Sequence, residues 1–293
     1  MLSKIKFELH ADDFGRSNYI SRAILKSINK GIVRGVSVIV NTKPNLKNFN
    51  KLKKNKYRPR LSLHLNLTEG FALSQKLKII TNSKHYFNKN FIYYFFAFLK
   101  KDFNLIKKET ANEINNQIQF FRKKFKIKKI NLDSHNHVHM IPWIFDLILK
   151  KNNLKYIKYI RIPNEKFYLP EINKLISFEF YFNLIKFFLL KFLSKIALNK
   201  LKKINIENNI SFVGVLETGH MTFNGIKKSI ENLNFSNTSD LNNIVEILIH
   251  PGHSIRKEKN LWKFSDSYKY FIHSNRKKEL LLSQNKNLKK ILS

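Results

Sequence analysis

The sequence predicts an α/β protein built on a parallel sheet that is either open or closed into a barrel. Seven strand-like runs alternate with helical segments along the chain, which is the pattern of parallel α/β folds. The polar residues that could carry chemistry follow these runs at their carboxyl ends, where such enzymes build their sites. The 293 residues are enough for one large domain with an excursion.

The first strand, helix and second strand lie close together at the start of the chain. Lys4–Ala11 is a strand signal, and Ser17 is a typical N-cap for a helix over Asn18–Lys30, whose isoleucines recur on one face. Gly31 ends this helix. Val36–Val40 has the β-branched composition of a buried parallel strand.

A helix is predicted over Asn45–Lys54 and a strand over Arg60–Leu67. Every second residue of that strand is leucine, so His64 lies on the opposite, polar face. Residues 68–102 form a weaker, partly apolar excursion. Leu105–Phe125 is an amphipathic helix because its apolar residues recur at helical spacing.

The centre of the chain combines a histidine-rich strand with a long insertion. Lys128–Val138 is predicted to be a strand, and Pro142 opens a helix that runs to Leu149. Tyr156–Ile162 is the next strand. A helical, aromatic and basic insertion follows at about 165–209.

The last part resumes the alternation. Ser211–Leu216 and Ile244–Ile249 are predicted strands, Phe223–Leu233 is a helix between them, and Arg276–Ser293 is a C-terminal helix. No internal repeat or low-complexity linker divides the chain. We therefore expect a single domain over residues 1–293.

Composition excludes some chemistry and leaves the partners open. The chain has no cysteine, which excludes disulfides, thiolate zinc sites and a cysteine nucleophile. Its 55 Lys+Arg against 20 Asp+Glu give a net charge of +35, as in proteins that bind nucleic acid or anionic membranes. The excess is mostly lysine, accompanied by Asn, Ile and Phe, whose codons are also rich in A and T. We interpret it as compositional drift and expect no specific nucleic-acid partner, since no recognition motif is present.

The expected location is cytoplasmic, because the first residues show no secretory signal. Two stretches are apolar, Phe91–Leu99 and Ile176–Leu198. Neither is expected to span a membrane, since spanning takes about 20 mostly uncharged residues. The second could lie on a membrane surface as a basic amphipathic helix, which keeps a membrane-peripheral location open. The simpler alternative is a peripheral helix that packs on the sheet.

One stretch concentrates the chemistry. Asp133, His135, His137 and His139 alternate, so in an extended strand all four side chains project from the same face. Several nearby histidines usually indicate metal binding or acid/base catalysis. The bland alternative is a polar strand end with mutually hydrogen-bonded imidazoles. Polar residues at or near other strand ends are expected on the same face of the fold: Asp12, Asp13, His64, Arg161, His220 and His250.

Four motifs in order resemble the YdjC-like (ChbG/HpnK) carbohydrate deacetylase family. They are His-Ala-Asp-Asp-Phe-Gly at 10–15, Leu-His-Leu-Asn-Leu-Thr-Glu-Gly at 63–70, Asp-Ser-His-Asn-His-Val-His-Met at 133–140 and Ile-His-Pro-Gly-His at 249–253. The resemblance spans residues 4 to about 290. The basic excursion and the segment around Thr218-Gly219-His220-Met221 look closer to the hopanoid-associated HpnK branch.

The resemblance implies a deformed (β/α) barrel, related to polysaccharide deacetylases, that removes an N-acetyl group from an amino sugar with a divalent metal. It assigns the metal ligands to Asp13, His64 and His135, with magnesium first and zinc as the alternative. Asp12 is then the expected general base and His250 the expected acid.

The remaining polar residues take supporting roles in this assignment. Arg161 is counted with Asp12 and His250 among the catalytic residues, since it would hold Asp12 ionised and oriented. Contacts to substrate or to the ligands are expected from Asp133, His137, His139 and His220. The expected partner is an N-acetylated sugar or glycolipid. Members of the family continue into a further strand, so closure of this barrel is in doubt.

Simpler readings and other functions stay open. The two aspartates could only cap the following helix, His64 could be an ordinary rim histidine, and His250-Pro251-Gly252 also reads as a turn. A basic nucleic-acid or anionic-membrane binding protein on a degenerate barrel is the alternative from another class. Another metal hydrolase, such as a phosphoesterase, is a third. The oligomeric state is open, with a homodimer among the alternatives.

Overall fold

The computed structural model describes residues 5–42, 46–175, 177–233, 243–253 and 274–293. Within them the chain forms seven strands: β1 (Lys6–Phe14), β2 (Gly35–Val38), β3 (Arg60–Leu65), β4 (Ile130–Ser134), β5 (Ile157–Ile160), β6 (Ser211–Val213) and β7 (Ile244–Ile249). Neighbouring strands are parallel, in the order β5-β4-β3-β2-β1-β7-β6. The predicted parallel α/β fold is confirmed. Lys4 and Asn45, the predicted starts of two elements, lie outside the described residues.

The sheet curls into a half-barrel. Strands β5 and β7 are separated by four others in the sheet order, yet Oη of Tyr159 donates to Oε2 of Glu246 over 2.7 Å. Only a curled sheet brings these strands together. Between β5 and β6 the described residues show isolated bridges, Tyr159 with Glu207 and Glu165 with Phe212, in place of a continuous ladder.

Helices cover the outer face of the sheet, and the apolar core lies between the two layers. They are α1 (Asn18–Lys30), α2 (Leu46–Lys53), α3 (Phe91–Phe95), α4 (Phe103–Phe125), α5 (Pro142–Ile148), α6 (Lys151–Leu154), α7 (Ile172–Leu175), α8 (Phe178–Leu201), α9 (Phe223–Glu231), α10 (Asn275–Leu282) and α11 (Lys286–Leu292). The first helix has its predicted bounds, because Oγ of Ser17 accepts the Ile20 N–H over 3.1 Å and Gly31 follows its last residue.

The histidine-rich segment is not the strand that its alternating pattern predicts. Strand β4 ends at Ser134, and residues His135–Met140 form a 3-10 turn, named here the histidine turn. Asn136 and His137 within it have left-handed backbones, with φ of 53° and 52°. Oγ of Ser134 accepts the His139 N–H over 3.0 Å, which closes the turn. The prediction that all four polar side chains share one strand face was therefore wrong.

Two other regions differ in detail from the prediction. In the insertion at 165–209, the helices are α7 and α8, and the residues before α7 are irregular. The single C-terminal helix is two helices, because Asn285 is extended and caps the second by accepting the Leu288 N–H over 3.1 Å. No helix among the described residues combines the length and apolar character needed to cross a membrane.

The concave face of the sheet carries buried charge instead of apolar side chains. In β1, Glu8, His10 and Asp12 alternate with core residues, so all three project into the half-barrel. Across the interior Arg60 pairs with both Glu8 and Glu246, at 2.6 and 3.1 Å. This network leads directly to the carboxyl ends of the strands.

Candidate active site

The two consecutive aspartates at the end of β1 reach one imidazole because the strand is distorted there. Neighbouring residues of a regular strand point to opposite faces. Asp13 instead has a left-handed backbone, with φ of 73°, and the pairing with β2 shifts register between Ala11 and Phe14. As a result, Oδ2 of Asp12 lies 3.8 Å from Nδ1 of His64, and Oδ1 of Asp13 lies 3.7 Å from Nε2 of the same ring. Strained backbone of this kind clusters at functional sites.

The two carboxylate oxygens of Asp13 have different surroundings. Oδ2 accepts two hydrogen bonds from the Arg276 guanidinium, each 3.0 Å long. Oδ1 is buried without a well-formed hydrogen bond among the described residues and faces the imidazoles. Burial alone would raise the pKa of Asp13, but Arg276 and His135 hold it well below its usual value. Asp13 is therefore a carboxylate with one lone oxygen available.

His64 is oriented by a carboxylate on the neighbouring strand. The pairing of β3 with β4 sets His64 beside Asp133, and Nδ1 donates to Oδ1 of Asp133 over 2.6 Å. An ionised carboxylate can only accept, so the ring proton is on Nδ1 and the lone pair is on Nε2. This is the usual way in which a ligating histidine is held toward a metal.

His135 is the first residue of the histidine turn, and its Nδ1 faces the same oxygen of Asp13 that His64 faces. Its Nδ1 lies 3.3 Å from Oδ1 of Asp13, and its Nε2 lies 3.7 Å from Oε1 of Glu69. Glu69 in turn forms an ion pair with Arg16. Burial lowers the pKa of His135, with Asp13 acting in the opposite direction. The imidazole is thus kept neutral, which is the form that binds metals.

These three side chains fit a metal ion. One ligand atom each from Asp13, His64 and His135 lies within 4.8 Å of the others, and all three residues are buried. Two imidazoles and one carboxylate on one side of a site leave further coordination positions open. Oδ1 of Asp13 gives the strongest indication, because it makes no well-formed hydrogen bond among the described residues and a buried carboxylate oxygen is costly unless a donor or a cation completes it.

A second group of possible ligands, His10, Asp12 and Asp133, is already occupied by protein donors. Arg161 donates to both oxygens of Asp12, over 2.7 and 3.0 Å, and its Nη2 lies 3.3 Å from Oδ2 of Asp133. The His10 ring bonds Oγ of Ser37 at 2.7 Å. The Arg161 guanidinium therefore supplies the positive charge that these carboxylates require, so this group does not need a metal ion.

Arg161 also sets the ionisation of Asp12. Burial opposes the charged carboxylate, but the Arg161 guanidinium, with His64, holds the pKa of Asp12 far below its usual value. Nε of Arg161 also donates to Glu246 over 2.5 Å, which fixes the side chain from the opposite strand. Asp12 is therefore ionised and immobilised next to the candidate ligands.

His250 follows β7 and is buried at the same end of the sheet. Its backbone N–H donates to Glu279, and its Nδ1 lies 3.9 Å from Oε2 of that residue. Burial lowers the pKa of His250 to about 3, and the nearby charges of Arg276 and Lys186 act in the same direction. His250 is thus a neutral imidazole whose Nδ1 side faces Glu279.

The other predicted contact residues are divided between the site and its supports. His137 is buried, and its Nδ1 has no hydrogen-bond partner among the described residues. Burial, followed by the charge of Lys186 on α8, holds the pKa of His137 well below its usual value. His139 is engaged at both ring nitrogens, by Oγ of Ser134 at 2.5 Å and by the carbonyl of Arg161 at 2.9 Å.

His220 lies farther along the rim, on the loop after β6. Its Nδ1 is 2.7 Å from Nδ2 of Asn275, and its carbonyl accepts a hydrogen bond from Nζ of Lys174. It therefore joins α7 and α10 at the edge of the site.

Four residues at the site had no assigned role from sequence reasoning: Glu69, Lys186, Arg276 and Glu279. Arg276 and Glu279 are three residues apart on α10 and share its buried face with Leu280 and Ser283. Two charges on the apolar stripe of a predicted helix were the available signal. Lys186 similarly interrupts an apolar helix, and Glu69 belongs to the motif at 63–70.

Known proteins resemble the chain in sequence. A carbohydrate deacetylase from Xenopus laevis is 26% identical over 273 residues, which cover 85% of this chain and 82% of that protein. Carbohydrate deacetylases from Clostridium beijerinckii and Danio rerio are 28% and 27% identical over 55% of this chain. Those two matches span only 62% and 51% of the relatives' own lengths.

The fold has a relative among solved structures. A protein from Enterococcus faecalis described as a cellobiose-phosphate cleavage protein superposes with a TM-score of 0.69 and 16% identity, covering 98% of this chain and 94% of that one. The match supports the curled half-barrel as the fold. In addition, the family model described as YdjC-like protein matches residues 6–293. The chain therefore belongs to the YdjC-like protein family.

Proposed function

We propose that this protein is a metal-dependent carbohydrate deacetylase that hydrolyses the N-acetyl group of an amino sugar. The observation that carries the proposal is the lone Oδ1 of Asp13, which faces Nε2 of His64 and Nδ1 of His135 at 3.7 and 3.3 Å. The names of the sequence relatives support the same activity. Amide hydrolysis needs a water made nucleophilic, a stabilised oxyanion and a proton for the leaving amine.

Asp13, His64 and His135 would hold a divalent cation. A bound cation supplies Lewis-acid chemistry, which polarises the acetyl carbonyl and lowers the pKa of a water molecule. Asp133 keeps His64 in the ligating tautomer, and Oε1 of Glu69 lies 3.7 Å from Nε2 of His135. The family resemblance favours magnesium, whereas two imidazoles are equally suited to zinc.

Asp12 is the proposed base. Both of its oxygens are bonded to Arg161, so the carboxylate stays ionised and cannot rotate away from the attacking water. Its low pKa makes it a weak proton acceptor in the resting site. The proton is therefore taken as the water attacks, because the water oxygen becomes more positive and its protons more acidic as it bonds to the acetyl carbon. Arg161 sets how strongly Asp12 holds that proton.

His250 is the proposed acid. Burial keeps its ring neutral in the absence of substrate, so it does not store a second proton. The proton that Asp12 takes from the attacking water passes through the His250 ring to the amine nitrogen, so water supplies both the hydroxyl group of the acetate and the proton of the amine. Oε2 of Glu279 lies 3.9 Å from Nδ1 of this ring. His137 and His220 are proposed substrate contacts, whereas His139 and Asp133 position neighbouring groups.

Acetate release from a panel of N-acetylated sugars and sugar lipids, with and without chelator, tests the proposal. Wild-type protein should release acetate only when metal is present, and Asp13→Asn should lose both metal uptake and activity. Asp146→Asn, a change at an exposed acid, is the control and should behave as wild type. Full activity of Asp13→Asn would overturn the ligand assignment. A phosphomonoester in the same panel tests the phosphoesterase alternative.

Finer points remain predictions within this proposal. They are the single domain over 1–293, the closer likeness to the HpnK branch, a glycolipid as the substrate and a homodimer. Comparison of soluble with lipid-linked N-acetyl sugars tests the substrate class. Size-exclusion chromatography with light scattering tests the oligomeric state.

A further inference from the structure

The outward face of α8 is a continuous apolar stripe. Six large side chains on it are between 55% and 80% exposed: Phe178, Tyr181, Phe182, Ile185, Phe188 and Phe192. Apart from the adjacent Tyr181 and Phe182, they recur every three or four residues, which places them on one side of the helix over a length of about 21 Å. The opposite side, which includes Phe187, Leu190 and Leu193, is buried against the rest of the fold. Soluble proteins rarely leave so large an apolar patch without a partner.

A second exposed apolar segment lies near the end of the excursion, shortly before α4. Ile92, Phe96, Phe98 and Leu99 are each about half exposed or more. Ile92 lies in α3, Phe98 and Leu99 lie in the short 3-10 turn Ala97–Leu99, and Phe96 joins the two elements. Both stretches stood out as apolar in the sequence, and both remain on the surface.

The two patches flank the same part of the site. Helices α3 and α8 both contact the histidine turn, which carries His135 and His137. On its inward side α8 also reaches the loop after β6, where Lys186 lies 3.4 Å from Oγ1 of Thr218. The apolar surface is therefore at the end of the half-barrel where the candidate catalytic residues gather.

The charge around the patches selects an anionic partner. Lys195 lies one turn from the stripe, Lys100 and Lys101 follow the second patch, and all three are exposed. The chain as a whole carries +35. Exposed aromatic side chains bordered by lysine are the composition of surfaces that enter the headgroup region of anionic bilayers.

We propose that the stripe on α8 and the apolar segment at 92–99 dock the protein on an anionic lipid bilayer, with the mouth of the candidate site turned toward the membrane. The helix lies in the plane of the interface, because its opposite side packs on the protein. Docking does not depend on the proposed deacetylase activity. It is measured by binding alone.

Co-sedimentation of the full chain with vesicles tests the proposal. Wild-type protein should bind phosphatidylcholine vesicles that contain phosphatidylserine, bind pure phosphatidylcholine much less, and lose binding as salt is added. The double variant Phe182→Ser/Ile185→Ser should weaken binding by about tenfold or more, because two apolar anchors are removed from the interface. Leu281→Ser, a similarly exposed apolar position on α10, is the matched control and should bind as wild type.

A second readout reports insertion directly. Tryptophan at an exposed stripe position, Phe182→Trp, should shift its emission to shorter wavelength when anionic vesicles are added, whereas Leu281→Trp should not. Binding that is absent in wild type, or unchanged in Phe182→Ser/Ile185→Ser, overturns the proposal. So does a wild-type dimer that the double variant converts to a monomer, since the stripe would then be an interface between copies.

Discussion

Arg276 holds one oxygen of Asp13 and leaves the other for the candidate metal. Both guanidinium hydrogen bonds, each 3.0 Å, go to Oδ2, although 263 residues separate the partners. The pair ties α10 to the distorted end of β1 and neutralises a buried carboxylate. Stability and ligand geometry therefore depend on the same contact.

Replacing Asp13 should reduce stability even without metal. Asp13→Asn leaves the buried Arg276 charge without its carboxylate, and we expect the free energy of unfolding to fall by about 3 kcal/mol. Asp13→Ala should cost about 1 kcal/mol more, because alanine tolerates the left-handed backbone less well than asparagine. Urea unfolding in the presence of chelator measures both changes.

The double variant Asp13→Asn/Arg276→Met is the control for this explanation. It removes both buried charges, so it should recover part of the lost stability without recovering metal binding. A double variant as unstable as the sum of the two single variants would contradict the pairing argument.

Removing the carboxylate behind His64 should weaken metal binding without abolishing it. In Asp133→Asn the hydrogen bond from Nδ1 of His64 is accepted by a neutral amide instead of a carboxylate. The preference of His64 for the ligating tautomer is therefore reduced. We expect metal affinity to fall by roughly 10- to 100-fold. Isothermal titration with the metal measures the change, and Asp146→Asn, on the surface, serves as the control. Unchanged metal affinity in Asp133→Asn would show that Asp133 does not orient His64 for metal binding.

Local pattern located most elements of this fold but misread the histidine turn. Helix α1 and strand β7 have their predicted bounds, because capping and β-branched composition are local signals. The alternation of His135, His137 and His139 imitates a strand. The strand ends at Ser134, because its Oγ accepts the His139 N–H and because Asn136 and His137 adopt left-handed backbones. The amino-acid composition of the segment does not predict these two conformations.

The candidate ligands could be predicted from motifs, whereas their supports could not. Asp13 and His64 lie at the carboxyl ends of β1 and β3, and His135 directly follows β4, so all three lie where the strands of a parallel sheet end at one edge. Arg276 and Glu279 come from α10, and nothing in their own segment indicates which strand they contact. Helical spacing predicts that such residues are buried, but their partners depend on the tertiary fold.

His137 should contribute to substrate binding or turnover and not to metal affinity. Its Nδ1 is buried without a hydrogen-bond partner among the described residues, so a substrate polar group is the natural partner. We expect His137→Asn, which tolerates the left-handed backbone, to lower kcat/KM by about tenfold, equivalent to one hydrogen bond. Steady-state kinetics and a metal titration measure the two effects.

His85→Asn is the matched control, because His85 has the same left-handed backbone, with φ of 59°, on an exposed surface. It should match wild type in both assays. If His137→Asn keeps full kcat/KM and only loses stability, His137 serves the fold alone.

Glu165 should make the protein less stable as pH rises toward neutrality. Its buried carboxylate accepts three backbone N–H groups, from Gly214, Val215 and Leu216, at 2.6, 3.0 and 2.8 Å. Burial nevertheless raises the pKa of Glu165 from 4.5 to about 7. Between those values Glu165 binds more protons in the folded state than in the unfolded state, so its contribution to stability is fully present below about pH 4.5 and is lost as pH rises through 7.

Urea unfolding across this pH range, compared between wild type and Glu165→Gln, isolates the effect. The difference between them should change by up to about 1.4 kcal/mol per pH unit, because one group contributes at most one proton. Glu231→Gln, at an exposed acid on α9, should show no such difference. A wild-type stability that rises with pH relative to Glu165→Gln would mean that the three backbone donors outweigh burial and hold the carboxylate ionised.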